Sequence, residues 1–114
     1  MKKSLIKTEQ LLEMLDNLAM NEVFIICYDR VVPKCSNCGA KKTKKWADGI
    51  ETCPNCGCTI DYDKKALGVK IDGNGIDKNC YRYFDRMEND FRHCRIEKIK
   101  SSVIDDTEYF VINI

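Results

Sequence analysis

The sequence predicts an α+β fold: a small, mostly antiparallel sheet with two helices and an inserted four-cysteine ribbon. Three observations lead there. A leucine stripe at helical spacing lies near the N-terminus, and a second apolar stripe follows Asp77. Short β-branched and aromatic runs flank both stripes. Two Cys-x-x-Cys pairs sit between the first of these runs and the second stripe. At 114 residues the chain suffices for one compact domain. A single domain over 1–114 is therefore expected, with the ribbon inserted at 33–62 and a body made of 1–32 and 63–114.

The first helix is expected over 8–20. Thr8 suits the N-cap, and Glu9 in the first turn complements the helix dipole. Leu11, Leu15 and Leu18 recur at i, i+4 and i+7, with Leu12 and Ala19 widening the stripe, and Asn21 suits a stop. The run Val23 to Tyr28 is apolar throughout and reads as a buried strand, extended by Val31 and Val32 and ended by Pro33. Within the ribbon, short strands near Lys44–Ala47 and Ile50–Thr52 are expected around an Asp48-Gly49 turn. Asp72-Gly73-Asn74-Gly75 is turn-rich and reads as a hairpin tip or a linker. Asp77 suits the cap of a second helix to about Asn89–Phe91, because Cys80, Phe84, Met87 and Phe91 fall at i, i+4, i+7 and i+11. Two strands, 94–104 and 108–114, close the chain. The last is apolar enough to be expected inside a sheet rather than at its edge.

Composition narrows the function classes. A formal net charge of +1 gives no global field toward nucleic acid. A chain 44% hydrophobic and 32% charged reads as globular rather than disordered. Lys7 and Glu9 interrupt any signal-like apolar stretch, and no run approaches the ~18 apolar residues of a membrane span. Eight cysteines without an export signal fit a reducing cytoplasm and metal binding better than a disulfide scaffold.

The chemistry-bearing pattern is Cys35/Cys38 and Cys53/Cys56, each pair followed by glycine, Gly39 and Gly57. A Cys-x-x-Cys pair forms a tight knuckle that aims two thiolates at one point, and the glycine permits the positive φ that closes it. Four thiolates complete a tetrahedral shell, so one structural Zn2+ is expected, with no open position for catalysis. Two disulfides or buried free thiols are the alternative. Cys58, two residues past Cys56, competes as a ligand, but the Pro54-Asn55 filling favours Cys53/Cys56. Cys27, Cys58, Cys80, Cys94 and His93 lack knuckle spacing, and a second metal site among them stays open.

Between the knuckles lie Lys41, Lys42, Lys44, Lys45 and Trp46, with no acid before Asp48. Lysines neutralise phosphates and tryptophan stacks on bases, so this segment is the candidate surface for nucleic acid or a partner. The bland alternative is a solvated hairpin with Trp46 packed over the metal site. Asp61 and Asp63 share a strand face, but no motif ties further carboxylates to them, which makes a two-metal nuclease a remote reading.

The stretch from Cys35 to Ala66, including Cys53-Pro54-Asn55-Cys56-Gly57-Cys58 and Asp61-Tyr62-Asp63-Lys64-Lys65-Ala66, resembles the zinc ribbon of transposon-encoded RNA-guided nucleases of the OrfB type. The resemblance covers about 32 of the 114 residues. In that family the second knuckle is followed by Asp-Arg-Asp-x-Asn-Ala, whose second Asp belongs to a RuvC-type site. Asp61, Asp63 and Ala66 match, while Tyr62 and Lys65 replace the Arg and Asn. The resemblance implies a ribbon of the kind used by nucleic-acid machinery, without a complete nuclease site. The expected function is thus a small non-enzymatic zinc-ribbon protein that binds nucleic acid or a protein of nucleic-acid metabolism. The rival is a protein-binding accessory or inhibitor from a phage or mobile element acting on a host enzyme, with the ribbon, or the second helix with Tyr81, Arg82 and Tyr83, as its hot spot. Neither a membrane nor a small-molecule substrate is expected.

Overall fold

The computed structural model describes residues 1–41 and 52–112. The fold is mostly β, which corrects the α+β expectation of two helices on a small sheet. Among the described residues there are eight strands, one α-helix and a 3-10 turn. The strands are β1 (Lys2–Ile6), β2 (Val23–Cys35), β3 (Ile60–Val69), β4 (Gly75–Asp77), β5 (Cys80–Asp85), β6 (Asp90–Arg95), β7 (Ile99–Ile104) and β8 (Thr107–Val111). They form one sheet in the order β1-β8-β7-β2-β3-β5-β4, with β6 paired to β5. The chain divides into two compact units, 1–28 with 65–114 and 29–64; β2 and β3 each continue from one into the other.

The helix, α1, spans Thr8–Asp16, shorter than expected. Lys7, not Thr8, occupies the N-cap; lysine has no acceptor to offer, so the helix entry is held instead by the Lys7 N–H donating to Gln10 Oε1 at 3.1 Å. Leu11, Leu12 and Leu15 are buried and join Phe24, Ile26, Tyr83, Ile99 and Ile104 in a single apolar core. The chain leaves the helix at Asn17, and Asn21 instead adopts φ 69° in the following loop. There its N–H donates to the Lys70 carbonyl at 2.8 Å, while Lys70 N–H donates to the Glu22 carbonyl at 2.9 Å.

β2 starts where expected but runs through Pro33 directly to Cys35. Within the first unit, Phe24, Ile26 and Tyr28 are buried, and Ile25 and Cys27 are only half-buried, so one face of the strand packs in the core. β2 pairs antiparallel with β7, and a register shift at Cys27/Tyr28 puts one extra residue in β7. The buried Ser102 hydroxyl donates to the Ile25 carbonyl at 2.6 Å across this pair.

The second expected helix is a hairpin. β5 and β6 pair antiparallel from Cys80↔Arg95 to Asp85↔Asp90. Tyr81, Tyr83 and Asp85 alternate as buried residues, a period of two. The helical spacing of Cys80, Phe84 and Phe91 is satisfied equally by a hairpin, since Cys80 and Phe84 share a strand face and Phe84 stands opposite Phe91. Those rings meet edge-on at 5.4 Å. Met87, the remaining member of the stripe, is 78% exposed in the connecting turn, which a core-facing helix would not permit. Tyr81 and Tyr83 are 2% and 0% exposed, so they belong to the core and offer no hot spot to a partner.

β7 and β8 form the closing hairpin, with Asp105 at φ 53° in the turn. The N-terminal residues, to which the sequence assigns no element, form β1 parallel to β8, from Lys2↔Thr107 to Ile6↔Val111. β8 is thereby interior to the sheet. β1 takes the edge, where Lys2 and Lys3 discourage further pairing.

Candidate metal centre

β2 delivers Cys35 to the first knuckle and the second knuckle returns the chain to β3 at Ile60. The two knuckles repeat one local plan. Cys35 N–H donates to the Ala40 carbonyl at 2.9 Å and Cys53 N–H to the Cys58 carbonyl at 2.7 Å. Gly39 N–H and Gly57 N–H donate back to the carbonyls of Cys35 and Cys53, at 3.2 and 2.8 Å. Gly39 and Gly57 have φ 73° and 77°, a conformation that a Cβ would strain. The knuckles are tied together by Ser36, whose N–H and hydroxyl both donate to the Thr59 carbonyl, at 3.1 and 2.8 Å. Short bridges, Lys34↔Lys41 and Thr52↔Thr59, lie beside them. Neither Ser36 nor Thr59 stands out in the sequence; the only signal is that Ser36 matches Pro54 in the other knuckle.

The four thiols of Cys35, Cys38, Cys53 and Cys56 converge, all within 4.8 Å of one another. The Cys35 and Cys56 sulfurs lie 3.4 Å apart, and those of Cys38 and Cys53 lie 3.7 Å apart. Around a tetrahedral ion with metal–sulfur bonds of about 2.3 Å, sulfurs stand roughly 3.8 Å apart. These contacts are therefore close to a ligand shell and far from the ~2.05 Å of a disulfide. All eight cysteines are free thiols. Each knuckle contributes one buried sulfur residue, Cys35 or Cys53, and one exposed, Cys38 or Cys56. The cluster could hold a metal ion.

Its electrostatics fit a cation. The amides of Cys38 and Asn37 point at the Cys35 sulfur, at 3.5 and 3.4 Å, and hold its thiol below the ordinary range. The Cys58 amide, then the Cys35 side chain, lower Cys56 to about 6. At Cys38 the Ala40 amide favours the thiolate, but the Cys35 thiol, burial, and the thiols of Cys53 and Cys56 outweigh it and push Cys38 up to about 11. Cys58 is also raised, first by its bond to Cys56. Like groups crowded together cannot all ionise alone; a bound divalent ion removes the conflict and lets all four ligands deprotonate.

The remaining candidates separate. Cys58 supplies the carbonyl that closes the second knuckle and stands outside the four-thiol group. Cys27 lies on β2, Cys80 on β5 and Cys94 on β6, where Cys94 is buried. Among the described residues, no metal-competent group includes these three, His93, or the pair Asp61 and Asp63. Lys41 is exposed beside the first knuckle. Lys42, Lys44, Lys45 and Trp46, and the expected strands around Asp48-Gly49 apart from Thr52, lie outside the described residues. No described helix is long and apolar enough to cross a membrane.

Fold and site together define a mostly β protein carrying a four-cysteine metal-binding cluster. No protein-family model, curated protein or solved structure matches the chain.

Proposed function

We propose that the chain is a small zinc-ribbon protein that engages nucleic acid, or an enzyme acting on it, through Lys41, Lys42, Lys44, Lys45 and Trp46, and that it has no catalytic site of its own. The observation that carries this reading is the convergence of four thiols from two matched knuckles. A shell of four cysteines favours a redox-inert tetrahedral ion, and zinc suits it best. Such a shell has no open coordination position, so the ion's contribution is structural. Cys35, Cys38, Cys53 and Cys56 would hold it, and in the sequence the lysines and Trp46 lie between the two knuckles. The partner class follows from their chemistry, lysines for phosphates and an indole for a base.

Two measurements test the two parts. Metal analysis of purified protein should return one zinc per chain, and a chelator should abolish amide-exchange protection at Gly39 and Gly57 first; protection unchanged after chelation refutes the metal site. Fluorescence anisotropy of zinc-loaded protein against short single- and double-stranded DNA and RNA should show binding that weakens with salt. Replacing the four lysines by alanine should flatten that salt dependence by roughly 0.7–0.9 logarithmic units per lost phosphate contact. No binding at low salt, or an unchanged slope in the variant, refutes the nucleic-acid surface.

A further inference from the structure

A groove of about 440 Å3 lies between α1 and β4, lined by Glu9, Leu12, Glu13, Asp16, Ile76 and Tyr81. All six belong to the same compact unit, separate from the metal cluster. Glu9, Glu13 and Asp16 recur at i, i+4 and i+7, so their carboxylates share one face of the helix. The floor is apolar: Leu12 and Tyr81 are 9% and 2% exposed, while Ile76 on the short β4 is 61% exposed.

Only Glu9, in the first turn where an acid complements the dipole, serves the helix itself. Glu9 and Glu13 repel one another at i, i+4 spacing. Asp16 sits in the last turn, where the helix dipole disfavours an anion and no basic residue balances it locally. Lys70 Nζ reaches Asp16 from β3's end at 3.7 Å. Among the described residues no cation pairs with Glu9 or Glu13. Local arrangements that oppose their own element are where function is sought.

We propose that this groove binds a basic peptide segment of a partner protein: an apolar side chain packs on Leu12 and Ile76, and a neighbouring lysine or arginine meets Glu9 and Glu13. The complementarity is specific in sign. The carboxylates of Glu9 and Glu13, not offset by any cation among the described residues, repel nucleic acid and anionic lipid, and the long aliphatic stem of lysine or arginine suits an apolar floor with a charged rim. This site goes beyond the proposed nucleic-acid surface and stands or falls independently of it.

The test uses the full-length, metal-loaded, 15N-labelled chain. The probe is a capped hexapeptide carrying two leucines and two lysines between terminal glycines, with a counterpart in which glutamates replace the lysines. The basic peptide should perturb amides of 9–16 and 75–81, more weakly as salt rises, and the acidic counterpart should perturb none. Glu9→Gln/Glu13→Gln should weaken binding roughly five- to tenfold, the sum of two partly exposed ion pairs. Ile76→Ser, at an exposed position, removes the apolar half of the contact and should weaken binding while leaving the rest of the spectrum unchanged. Perturbation elsewhere, equal binding of the acidic peptide, or unchanged affinity in both variants overturns the proposal. Concentration-dependent shifts in 9–16 and 75–81 without peptide would also overturn it, by assigning the groove to a second copy of the chain.

Discussion

Replacing Gly68 by alanine should destabilise the protein through a single ring. Gly68 is buried on β3, and Phe24 of β2 lies flat against it with 2% of its own surface exposed. A Cβ built at Gly68 would stand 2.5 Å from Phe24 Cε2 and 3.0 Å from Cε1. Carbon atoms pack at about 3.5–4.0 Å, so the ring must retreat by about 1 Å into a closed core. Overpacking of this kind costs about 1–3 kcal/mol. Alanine returns about 0.4–1 kcal/mol by restricting the unfolded chain. The net loss should be about 1–2 kcal/mol, read as a lower urea midpoint at unchanged slope. The decisive comparison is the same substitution in a Phe24→Leu background, where the obstructing ring is gone and Gly68→Ala should cost less than about 0.5 kcal/mol. An equal cost in both backgrounds would refute the reasoning, since the penalty would then arise from something other than Phe24.

The other predictions concern buried polar groups in the same unit. The Tyr28 and Tyr83 hydroxyls meet at 2.7 Å in the core. Tyr28→Phe or Tyr83→Phe alone should cost about 1–3 kcal/mol, and the double variant less than the sum of the two, as measured by a double-mutant cycle. Burial, then the Tyr28 hydroxyl, holds the Tyr83 phenol far above its ordinary value. The folded chain therefore keeps a proton that the unfolded chain loses above pH about 10, so this contribution is present below that pH and falls as pH rises through it. Urea midpoints on either side of that pH should show the loss, reduced in Tyr83→Phe. Asp85 is 1% exposed, and its Oδ1 accepts from the Met87 and Glu88 amides at 3.0 and 3.2 Å. Asp85→Ala should cost about 1–3 kcal/mol and speed hydrogen exchange at those two amides, while Asp85→Asn, which retains an acceptor, should cost less.

The β5–β6 hairpin shows how a sequence pattern can mislead. Spacings of four and seven in Cys80, Phe84, Met87 and Phe91 fit a helix, yet residues four apart also share a strand face. A hairpin then brings Phe91 back opposite Phe84. The deciding signal was the alternation of Tyr81, Tyr83 and Asp85, partly hidden because its last member is a charged residue. Arg82 sits on the other face, its guanidinium carbon 4.1 Å from the Phe91 ring centre, a pairing that only the strand register creates. β1 was illegible for a different reason. Lys2-Lys3-Ser4-Leu5-Ile6 has little strand character of its own and becomes one by pairing with β8, more than a hundred residues away.

The acidic groove was equally hidden. Glu9, Glu13 and Asp16 can be placed on one helical face from sequence, but Ile76 fell between the expected turn and the second helix and Tyr81 within that helix, and their place beside α1 depends on β4 and β5 being strands. The first helix was recognisable because its leucine stripe is intrinsic to the segment. Its length was not, because the last residues of the stripe, Leu18 and Ala19, lie in a loop tied to β3 through Lys70.

By itself the sequence determined the four-cysteine cluster. Each knuckle is a short-range device, two residues between thiols and a glycine at positive φ, and its geometry needs little from the remainder of the chain. Tertiary structure alone decided which segments are strands, which face of each is buried, and what stands beside α1. A strand has no hydrogen-bonded identity until its partner arrives, and here the partners of β1, β2 and β3 are distant in the chain.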